Sequence, residues 1–522
     1  MSSILVRDAR VLTLDDADRE FASADIVIED AQIKAVGPGA GKDWPRPFDR
    51  LIAGEGLLAM PGLINAHFHS PGNLMKGMLP GMPLELFMLY EVPPLATAGD
   101  AGRVAYVRTM LGALEMLRLG ITAVHDDAYH VPAATRESID AIMQAYEDAG
   151  IRATVAIDQP NVVEHEKYPF LADLLPPEER RAMDEAPRQS SAELLALYAH
   201  LVARWHGKAQ GRLAAAVSCS APQRVTPEYF AALSTLSRQH HLPFNVHILE
   251  TKLQRVLGEE KYGKSLVRYV HDLGLLDERM MVIHAIWVDA RDIELLAQSG
   301  CVVAHNPVCN LRLGSGVMPY HALRAAGVPI CLGSDEMNTD DTANLWFVAK
   351  TAALLQTLGT TEYHDWPAAP EMLAALTRGG ARALRRERRL GQLAPGFAAD
   401  LILLDLDTAA FTPLNDLRRQ LIYCEDGSSL RCTIVNGQIV YENGRMLTVD
   451  EKAIRAEARA LMHGYRETAA RAAGEARRLE PYYRQMYLKA SARNVGFGRQ
   501  LEKNGIRTGP VDSINLSPEE AP

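Results

Sequence analysis

Two histidines at the end of an apolar run, His67 and His69, are spaced for metal binding. Residues 57–64 are apolar except for Gly62, which predicts a buried strand leading to them. Because side chains two apart on a strand point to the same face, the two imidazoles should project together. Two neutral imidazoles on one face supply half of a tetrahedral metal site. A chance H-x-H pair is the alternative interpretation.

Further along the chain, other histidines and one aspartate also follow apolar runs. Helical patterns separate eight such runs, which predicts a (β/α)8 TIM-like barrel of α/β class. In this fold the C-terminal ends of the strands form a single site, so these side chains should meet. The candidate strands are residues 57–68, 121–126, 152–158, 212–219, 243–248, 280–285, 301–305 and 329–334, and the polar strand ends are His67, His69, His247, His284, His305 and Asp335.

Both ends of the chain carry short strand patterns rich in Val and Ile. Asn436 and Gly437 stand between two apolar runs, which is a strong hairpin signal. We therefore expect the two ends to build one small domain around the barrel, followed by a helical tail that packs on the barrel or forms oligomer contacts. The predicted parts are a composite β-sandwich domain at 1–56 and 391–449, the barrel at 57–390 and a helical C-terminal extension at 450–522.

The composition limits the classes of partner. The chain has 522 residues, of which 48% are hydrophobic, and a net charge of -10. No basic surplus exists to neutralise phosphates, which argues against nucleic acid as a partner. No apolar run reaches the ~18 residues that would indicate a membrane span, and the start lacks a secretory signal pattern. The six cysteines form no C-x-x-C pair. We expect a cytoplasmic homo-oligomer with a small-molecule substrate.

An ordered set of motifs gives the chain a resemblance to a known family. The motifs are PGLINAHFH, NVHILET, VIHAIWVD, HNPVCNLRLGSGVMP, GSDEMNTDD and LAPGFAADLILLDLD. With them the chain resembles the amidohydrolase superfamily, in the branch of the cytosine, guanine and S-adenosylhomocysteine deaminases and the s-triazine hydrolases. The resemblance implies a metal-dependent hydrolase in which water attacks a carbon–nitrogen bond of a heterocyclic or related small molecule.

The resemblance also implies a ligand set. His67, His69, His247 and Asp335 would bind one divalent metal, with zinc as the first choice for nitrogen and oxygen ligands and iron as the alternative. The binuclear branch of the family bridges two metals with a carboxylated lysine on strand four. Residues 213–220 contain no lysine, so we expect one metal.

The proton chemistry follows from the same resemblance. A bound metal lowers the pKa of water towards ~7, and Glu250 or Asp335 can take the released proton. Protonated Glu250 can then deliver it to the departing amine, because one carboxylate serves first as base and then as acid. His284 would polarise the substrate. His305 and Asn310 lie in a family-like loop and are candidate substrate contacts, with packing as the alternative.

Deamination is the predicted reaction, and two alternatives stay open. One is a dechlorinating or cyclic-amide hydrolase of the same fold. The other is a non-catalytic binding relative, which the intact ligands and Glu250 disfavour. S-adenosylhomocysteine deaminases carry His-Ala-Pro or His-Ser-Pro after strand four, whereas residues 220–222 here are Ser-Ala-Pro, which questions a nucleoside substrate. Residues 125–127, His-Asp-Asp, could contact substrate, although a structural role is the simpler interpretation for each.

Overall fold

The structure is a computed structural model that describes residues 2–42, 44–95 and 101–500. Small parts of the predicted regions therefore lie outside the described residues. These parts are residues 1 and 43 of the predicted β-sandwich domain, 96–100 of the predicted barrel and 501–522 of the predicted extension.

Strands alternate with helices through the middle of the chain and dominate its two ends. The strands are β1 (Ser3–Leu12), β2 (Glu20–Glu29), β3 (Gln32–Gly37), β4 (Arg50–Ala53), β5 (Leu57–Pro61), β6 (Leu63–His69), β7 (Ile121–Tyr129), β8 (Arg152–Asp158), β9 (Leu213–Ala215), β10 (Val217–Ser218), β11 (Phe244–Ile248), β12 (Met280–His284), β13 (Val302–His305), β14 (Ile330–Leu332), β15 (Asp335–Glu336), β16 (Leu401–Asp405), β17 (Leu430–Val435), β18 (Gln438–Glu442) and β19 (Arg445–Met446). The α-helices are α1 (Leu84–Leu95), α2 (Ala101–Arg118), α3 (Arg136–Ala149), α4 (Leu171–Leu174), α5 (Pro177–Glu185), α6 (Ser191–Trp205), α7 (Lys208–Gly211), α8 (Pro227–His240), α9 (Lys252–Tyr262), α10 (Leu266–Asp272), α11 (Ala290–Ser299), α12 (Pro307–Arg312), α13 (Tyr320–Ala325), α14 (Met337–Asp340), α15 (Leu345–Gln356), α16 (Ala369–Ala374), α17 (Gly380–Ala383), α18 (Leu417–Tyr423) and α19 (Glu451–Ser491).

The middle of the chain forms two five-stranded parallel sheets, ordered β15-β6-β7-β8-β9 and β10-β11-β12-β13-β14. Ala216 alone separates the end of the first sheet from the start of the second, and two residues separate β14 from β15. Strands β7, β8 and β12 are buried along almost their whole length, as expected for parallel strands covered on both faces. All eight predicted strand positions are occupied, two of them by interrupted strands.

The first predicted strand, residues 57–68, is wrong as a single element. The structure divides it at Gly62 into β5, which pairs with β1 and β16, and β6, which pairs with β7 and β15. A Cβ atom at Gly62 would lie 2.2 Å from the side chain of Thr122, so only glycine fits where the chain passes from β5 to β6. The apolar pattern continues through this junction because both strands are buried, and it therefore conceals the break.

The two chain ends meet in one nine-stranded sheet. Its order is β19-β18-β17-β16-β5-β1-β2-β3, and β4 pairs with β1. The hairpin predicted at Asn436 and Gly437 is confirmed between β17 and β18. Arg152 of β8 donates to both carboxylate oxygens of Asp400, beside β16, which ties this sheet to the middle of the chain. The pairing gives one continuous sheet, and the sandwich arrangement stays a prediction.

The last described element is a single long helix followed by a short tail. Helix α19 has 41 residues and packs against α1, α2, α4 and α9. Helix α1 belongs to the segment after β6, and α9 follows β11, so the contacts of α19 lie on loops and helices that follow strand ends. No helix among the described residues is long and apolar enough to cross a membrane.

Candidate metal and active site

The four predicted ligands come together from three strands: His67 and His69 from the end of β6, His247 from near the end of β11, and Asp335 from the start of β15. His67 Nε2 lies 3.2 Å from His247 Nε2 and 3.4 Å from the Oδ1 atom of Asp335. His69 Nε2 lies 3.6 Å from the same Asp335 oxygen. All four residues are buried. His67, His69 and Asp335 have ligand atoms within 4.8 Å of one another, and so do His67, His247 and His284. The two groups share His67, which joins the four predicted ligands into one cluster.

Local backbone features bring the ligands to this point. His67 and His69 share one face of β6, as their spacing predicts, while His247 comes from β11 in the other sheet. A Cβ atom at Gly333 would lie 2.8 Å from His67, so this glycine allows the chain to pass close to the ligand. Asp335 follows with a φ of 64°, a left-handed conformation that is strained in a residue other than glycine. Such strain recurs at functional sites.

Backbone carbonyl groups fix the orientation of two of the histidines. The Nδ1 atom of His69 lies 2.5 Å from the carbonyl oxygen of Asp127, and Nδ1 of His247 lies 2.8 Å from that of Ser220. A carbonyl oxygen only accepts, so each Nδ1 carries the proton and each Nε2 presents its lone pair to the site. Burial also lowers the pKa of His67 and of His247, which favours the neutral form that binds metals.

Asp335 supplies the negative charge of the set. Burial alone would raise its pKa, but the neighbouring His67, His284 and His69 hold the pKa of Asp335 well below its ordinary value. Its Oδ2 atom and the Nδ1 atom of His67 have no hydrogen-bond partner among the described residues. Three imidazoles and one carboxylate, with a buried carboxylate oxygen unpartnered, are a donor set that fits a divalent metal such as zinc.

Glu250 and His284 stand beside this ligand set. His284 Nε2 lies 3.5 Å from Oε2 of Glu250 and 3.7 Å from Oδ2 of Asp335. The amide nitrogen of Asn310 donates to His284 Nδ1 at 2.9 Å, which places the ring proton on Nε2, facing the two carboxylates. Burial and the charge of Asp335 raise the pKa of Glu250 well above its ordinary value, although a hydrogen bond from Ser315 Oγ opposes this.

The two predicted substrate contacts have different positions. Asn310 is buried and contacts His284, which separates it from the proposed ligands. His305 is buried at the end of β13, and neither ring nitrogen has a hydrogen-bond partner among the described residues. Burial lowers the pKa of His305 to about 3. His305 is not part of any cluster of potential metal ligands found in the described chain.

Sequence reasoning missed several polar residues around the site. Asp158 ends β8 and lies close to Asp127 and His69. Asp158 is the last residue of the predicted strand 152–158, so an inspection of every predicted strand end would have found it. Glu85 and Arg224 border a small pocket next to Gln254, whose side-chain oxygen accepts a hydrogen bond from the backbone of Glu250. No local signal marks these two residues, because separate segments bring them together.

A buried set of histidines and a carboxylate, with a second carboxylate that can carry a proton, is typical of metal-dependent hydrolases. Residues 58–440 match the model of the Amidohydrolase family. Because this match covers most of the chain, the protein belongs to the Amidohydrolase family.

Relatives of known function agree with this membership. The chain is 30% identical over 458 residues to a 5'-deoxyadenosine deaminase of Methanosarcina mazei, an alignment that covers 88% of this chain and 97% of the relative. An atrazine chlorohydrolase of Arthrobacter aurescens, solved in complex with zinc, has a TM-score of 0.79 at 28% identity and covers 88% of this chain and 99% of its own. An adenosine deaminase of Xanthomonas campestris with bound zinc has a TM-score of 0.78 at 25% identity, with coverages of 89% and 99%.

These relationships confirm the predicted family and the predicted class of activity. The protein is an enzyme that hydrolyses carbon–nitrogen bonds. The family and its zinc-containing relatives support a divalent metal as cofactor. The prediction of a non-catalytic binding relative is not supported.

Proposed function

We propose that the protein is a mononuclear zinc aminohydrolase that releases ammonia from an amino-substituted nitrogen heterocycle. His67, His69, His247 and Asp335 would hold the metal. The observation that supports this proposal most directly is the position of Glu250, a buried carboxylate whose oxygen lies 3.5 Å from His284 Nε2 beside the ligand set. Residues 213–220 contain no lysine that could bridge a second metal.

The residues of this chain divide the proton transfers between them. A bound metal would supply Lewis acidity and lower the pKa of water in the site. Glu250 takes a proton as the water oxygen bonds to the ring carbon, and gives it to the amino nitrogen as the carbon–nitrogen bond breaks. The raised pKa of Glu250 suits it to hold this proton between the two transfers. His284 donates from Nε2 to the part of the substrate that gains negative charge.

Adenosine and its derivatives are the first substrate class to consider. The Methanosarcina relative is named a 5'-deoxyadenosine deaminase, and it aligns along most of the chain. Ser220 argues for some departure from the S-adenosylhomocysteine deaminases, because it stands where they carry a histidine and its hydroxyl accepts from Arg224 at 3.2 Å. The alternative is displacement of a halide, which the likeness to an atrazine chlorohydrolase favours.

We also propose the larger architecture. The short gaps between β9 and β10 and between β14 and β15 allow the two parallel sheets to close into one (β/α)8 barrel within residues 57–390. Residues 1–56 and 391–449 would form the composite β-sandwich domain, and 450–522 the helical extension. The shared nine-stranded sheet supports the composite domain. The homo-oligomeric state and the cytoplasmic location stay predictions.

The variant Glu250→Gln tests the role of the carboxylate. It keeps size and hydrogen bonding but removes the base, so turnover should fall by about 10²–10⁴-fold while the metal stays bound. Metal content and ammonia release are measured on the same sample. Glu228→Gln, an exposed glutamate at the start of α8, is the matched control and should behave as the parent protein. A metal-replete Glu250→Gln protein with parental turnover would eliminate the proposed proton carrier.

A substrate panel tests the reaction itself. The purified parent protein, loaded with zinc, is incubated with aminopurines and their nucleosides, aminopyrimidines, pterins and amino- or chloro-triazines. Ammonia and chloride are measured separately. Ammonia release from at least one amino heterocycle is the expected result. Chloride release without ammonia would replace the proposal by the dechlorinating alternative.

A further inference from the structure

Two buried carboxylates, Asp127 and Asp158, stand on neighbouring strands next to the proposed metal ligands. Asp158 pairs with Tyr129 across β7 and β8, and Asp127 pairs with Ala156. Because residues two apart share a strand face, Asp127 and Asp158 project from the same face of the sheet. Each also has a carboxylate oxygen within 4.8 Å of a His69 nitrogen and of the other carboxylate. The pair therefore lies next to the site, but neither carboxylate takes part in the proposed reaction.

The carboxylates are not fully hydrogen-bonded. Oδ2 of Asp127 accepts from Ser218 Oγ at 3.0 Å, but Oδ1 of Asp127 and Oδ1 of Asp158 have no partner among the described residues. Asp127 is fully buried and Asp158 is 5% exposed. The side-chain oxygen of Asn245, also buried, lacks a partner as well. Buried acceptors without donors are costly, so several neighbouring ones indicate that a ligand supplies the donors.

A second transition metal does not fit this position. His69 has no free nitrogen, because Nδ1 is bonded to the carbonyl of Asp127 and Nε2 faces Asp335. Asp127 and Asp158 alone are fewer than the three or four protein ligands that zinc takes. The unpartnered atoms are all acceptors, which suits a ligand rich in N–H donors.

The charges nearby point the same way. Arg224 is the cation whose charge interacts with both Asp158 and Glu250, and it also faces Glu164. Glu85 interacts with Glu250 and Arg224 as well. Lys167 adds a second cation beside Glu164. Acceptor oxygens that lack donors would attract an amino group or a protonated ring nitrogen rather than an anionic substituent.

We propose that Asp127 and Asp158 bind a second N–H-bearing group of the substrate, in addition to the amino group that leaves. The substrate class is then a heterocycle with at least two N–H donor substituents, such as a diaminopurine or a diaminopyrimidine. This inference rests on the proposed aminohydrolase function and specifies its substrate. Asp127 and Asp158 determine specificity and take no part in the proton transfers.

Binding measured without turnover tests the inference. The zinc-loaded Glu250→Gln protein is titrated calorimetrically with 2,6-diaminopurine and adenine, and with 2,4-diaminopyrimidine and 4-aminopyrimidine. The member with the additional amino group should bind about 10- to 100-fold more tightly, as expected when buried acceptors without partners gain donors. Adding Asp127→Asn or Asp158→Asn should remove most of this preference while zinc content stays unchanged.

The control is Asp126→Asn. Asp126 is equally buried on β7, but it faces the other way and accepts from Tyr146 and from the backbone of Ser70. This variant should lose stability and keep the preference; if it does not fold, Asp158→Glu serves instead and should retain part of the preference. Equal binding of both members of each pair, or a preference unchanged in the two asparagine variants, would overturn the inference. Loss of a second equivalent of zinc in those variants would overturn it in favour of a metal site.

The failure of this inference is distinguishable from failure of the proposed function. Ammonia release from mono-amino heterocycles without any preference for diamino ones would refute only the role of Asp127 and Asp158. Absence of ammonia release from every heterocycle would refute the aminohydrolase, and the binding titration would still report on the carboxylate pair.

Discussion

Arg499, near the end of the described chain, links the C-terminal extension to the loops around the candidate active site. Its guanidinium donates to the carbonyl oxygens of Ile286 at 3.0 Å and Val288 at 2.8 Å. Its own carbonyl oxygen accepts from the backbone of Val317 at 2.8 Å. Arg499 therefore joins the loop after β12 to the loop after α12.

These loops position Glu250, the proposed catalytic carboxylate. Trp287 donates from its indole nitrogen to the carbonyl of Ser315 at 2.8 Å, and Ser315 Oγ donates to Oε1 of Glu250 at 3.3 Å. Removing the Arg499 side chain should loosen this connection. Arg499 is accordingly a positioning residue, and it has no contact with the proposed ligands.

The expected effect of Arg499→Ala is moderate. Two hydrogen bonds from a half-buried guanidinium contribute about 2–3 kcal/mol to docking of the tail. Only the part that fixes Ser315 reaches Glu250, about 1 kcal/mol, which corresponds to a roughly fivefold fall in kcat. Because the Ser315 hydrogen bond lowers the pKa of Glu250 against the effect of burial, its loss should also move the acidic limb of the pH–rate profile to higher pH.

Rates, pH profiles and metal content of Arg499→Ala, Ser315→Ala and the double variant are the measurements. The two single effects should be non-additive, because both act through one hydrogen bond. Arg493→Ala is the control, since Arg493 pairs with the exposed Glu260 and should leave kcat unchanged. Parental kcat and pH profile in Arg499→Ala, or fully additive effects, would refute the reasoning.

Three further outcomes are expected. Elemental analysis should find about one zinc per chain in the parent and a strong loss in His67→Ala; two tightly held metals in the parent would contradict the mononuclear proposal. Burial raises the pKa of Asp340 to about 8. The contribution of Asp340 to the stability of the fold is therefore complete below the ordinary pKa of the group near ~4, and it is lost as the pH rises through ~8. Asp340→Asn should therefore raise Tm at about pH 8.5 and change it little near pH 4. Arg152→Ala leaves the buried Asp400 without its cationic partner and should lower the free energy of unfolding by about 3–5 kcal/mol, which a parental urea midpoint would disprove.

The elements of the fold that local patterns encode could be predicted. Helices α3, α6 and α8 lie in three of the helical patterns that separate the predicted strands. Each begins after a Thr or Ser that accepts a backbone hydrogen bond, a signal that lies within four residues of sequence. The strands were found because buried parallel strands are continuous apolar runs. His67 and His69 needed only their spacing and the strand before them.

Contacts between distant segments could not be predicted in the same way. The division of the first strand at Gly62 depends on the side chain of Thr122, which is 60 positions away. The contact of Ser315 with Glu250 depends on Trp287 and on the tail near Arg499. The carboxylate pair at Asp127 and Asp158 exists only because β7 and β8 are neighbours. The predicted strand ends indicate Asp127 and Asp158 individually, but none of these contacts leaves a periodic or compositional trace.

The orientations of two site residues show that a motif can identify a residue whose direction strand periodicity does not predict. In an unbroken strand, Asp335 would share a face with Gly333 and Cys331. The strand is interrupted before Asp335, and a φ of 64° at Asp335 sets its direction instead; His284, with a φ of 76°, is similarly displaced from regular strand geometry. Such conformations cost about 1–3 kcal/mol each and persist only where the surrounding packing enforces them. The motif pointed to both residues, whereas their orientation towards Glu250 is a property of the folded chain.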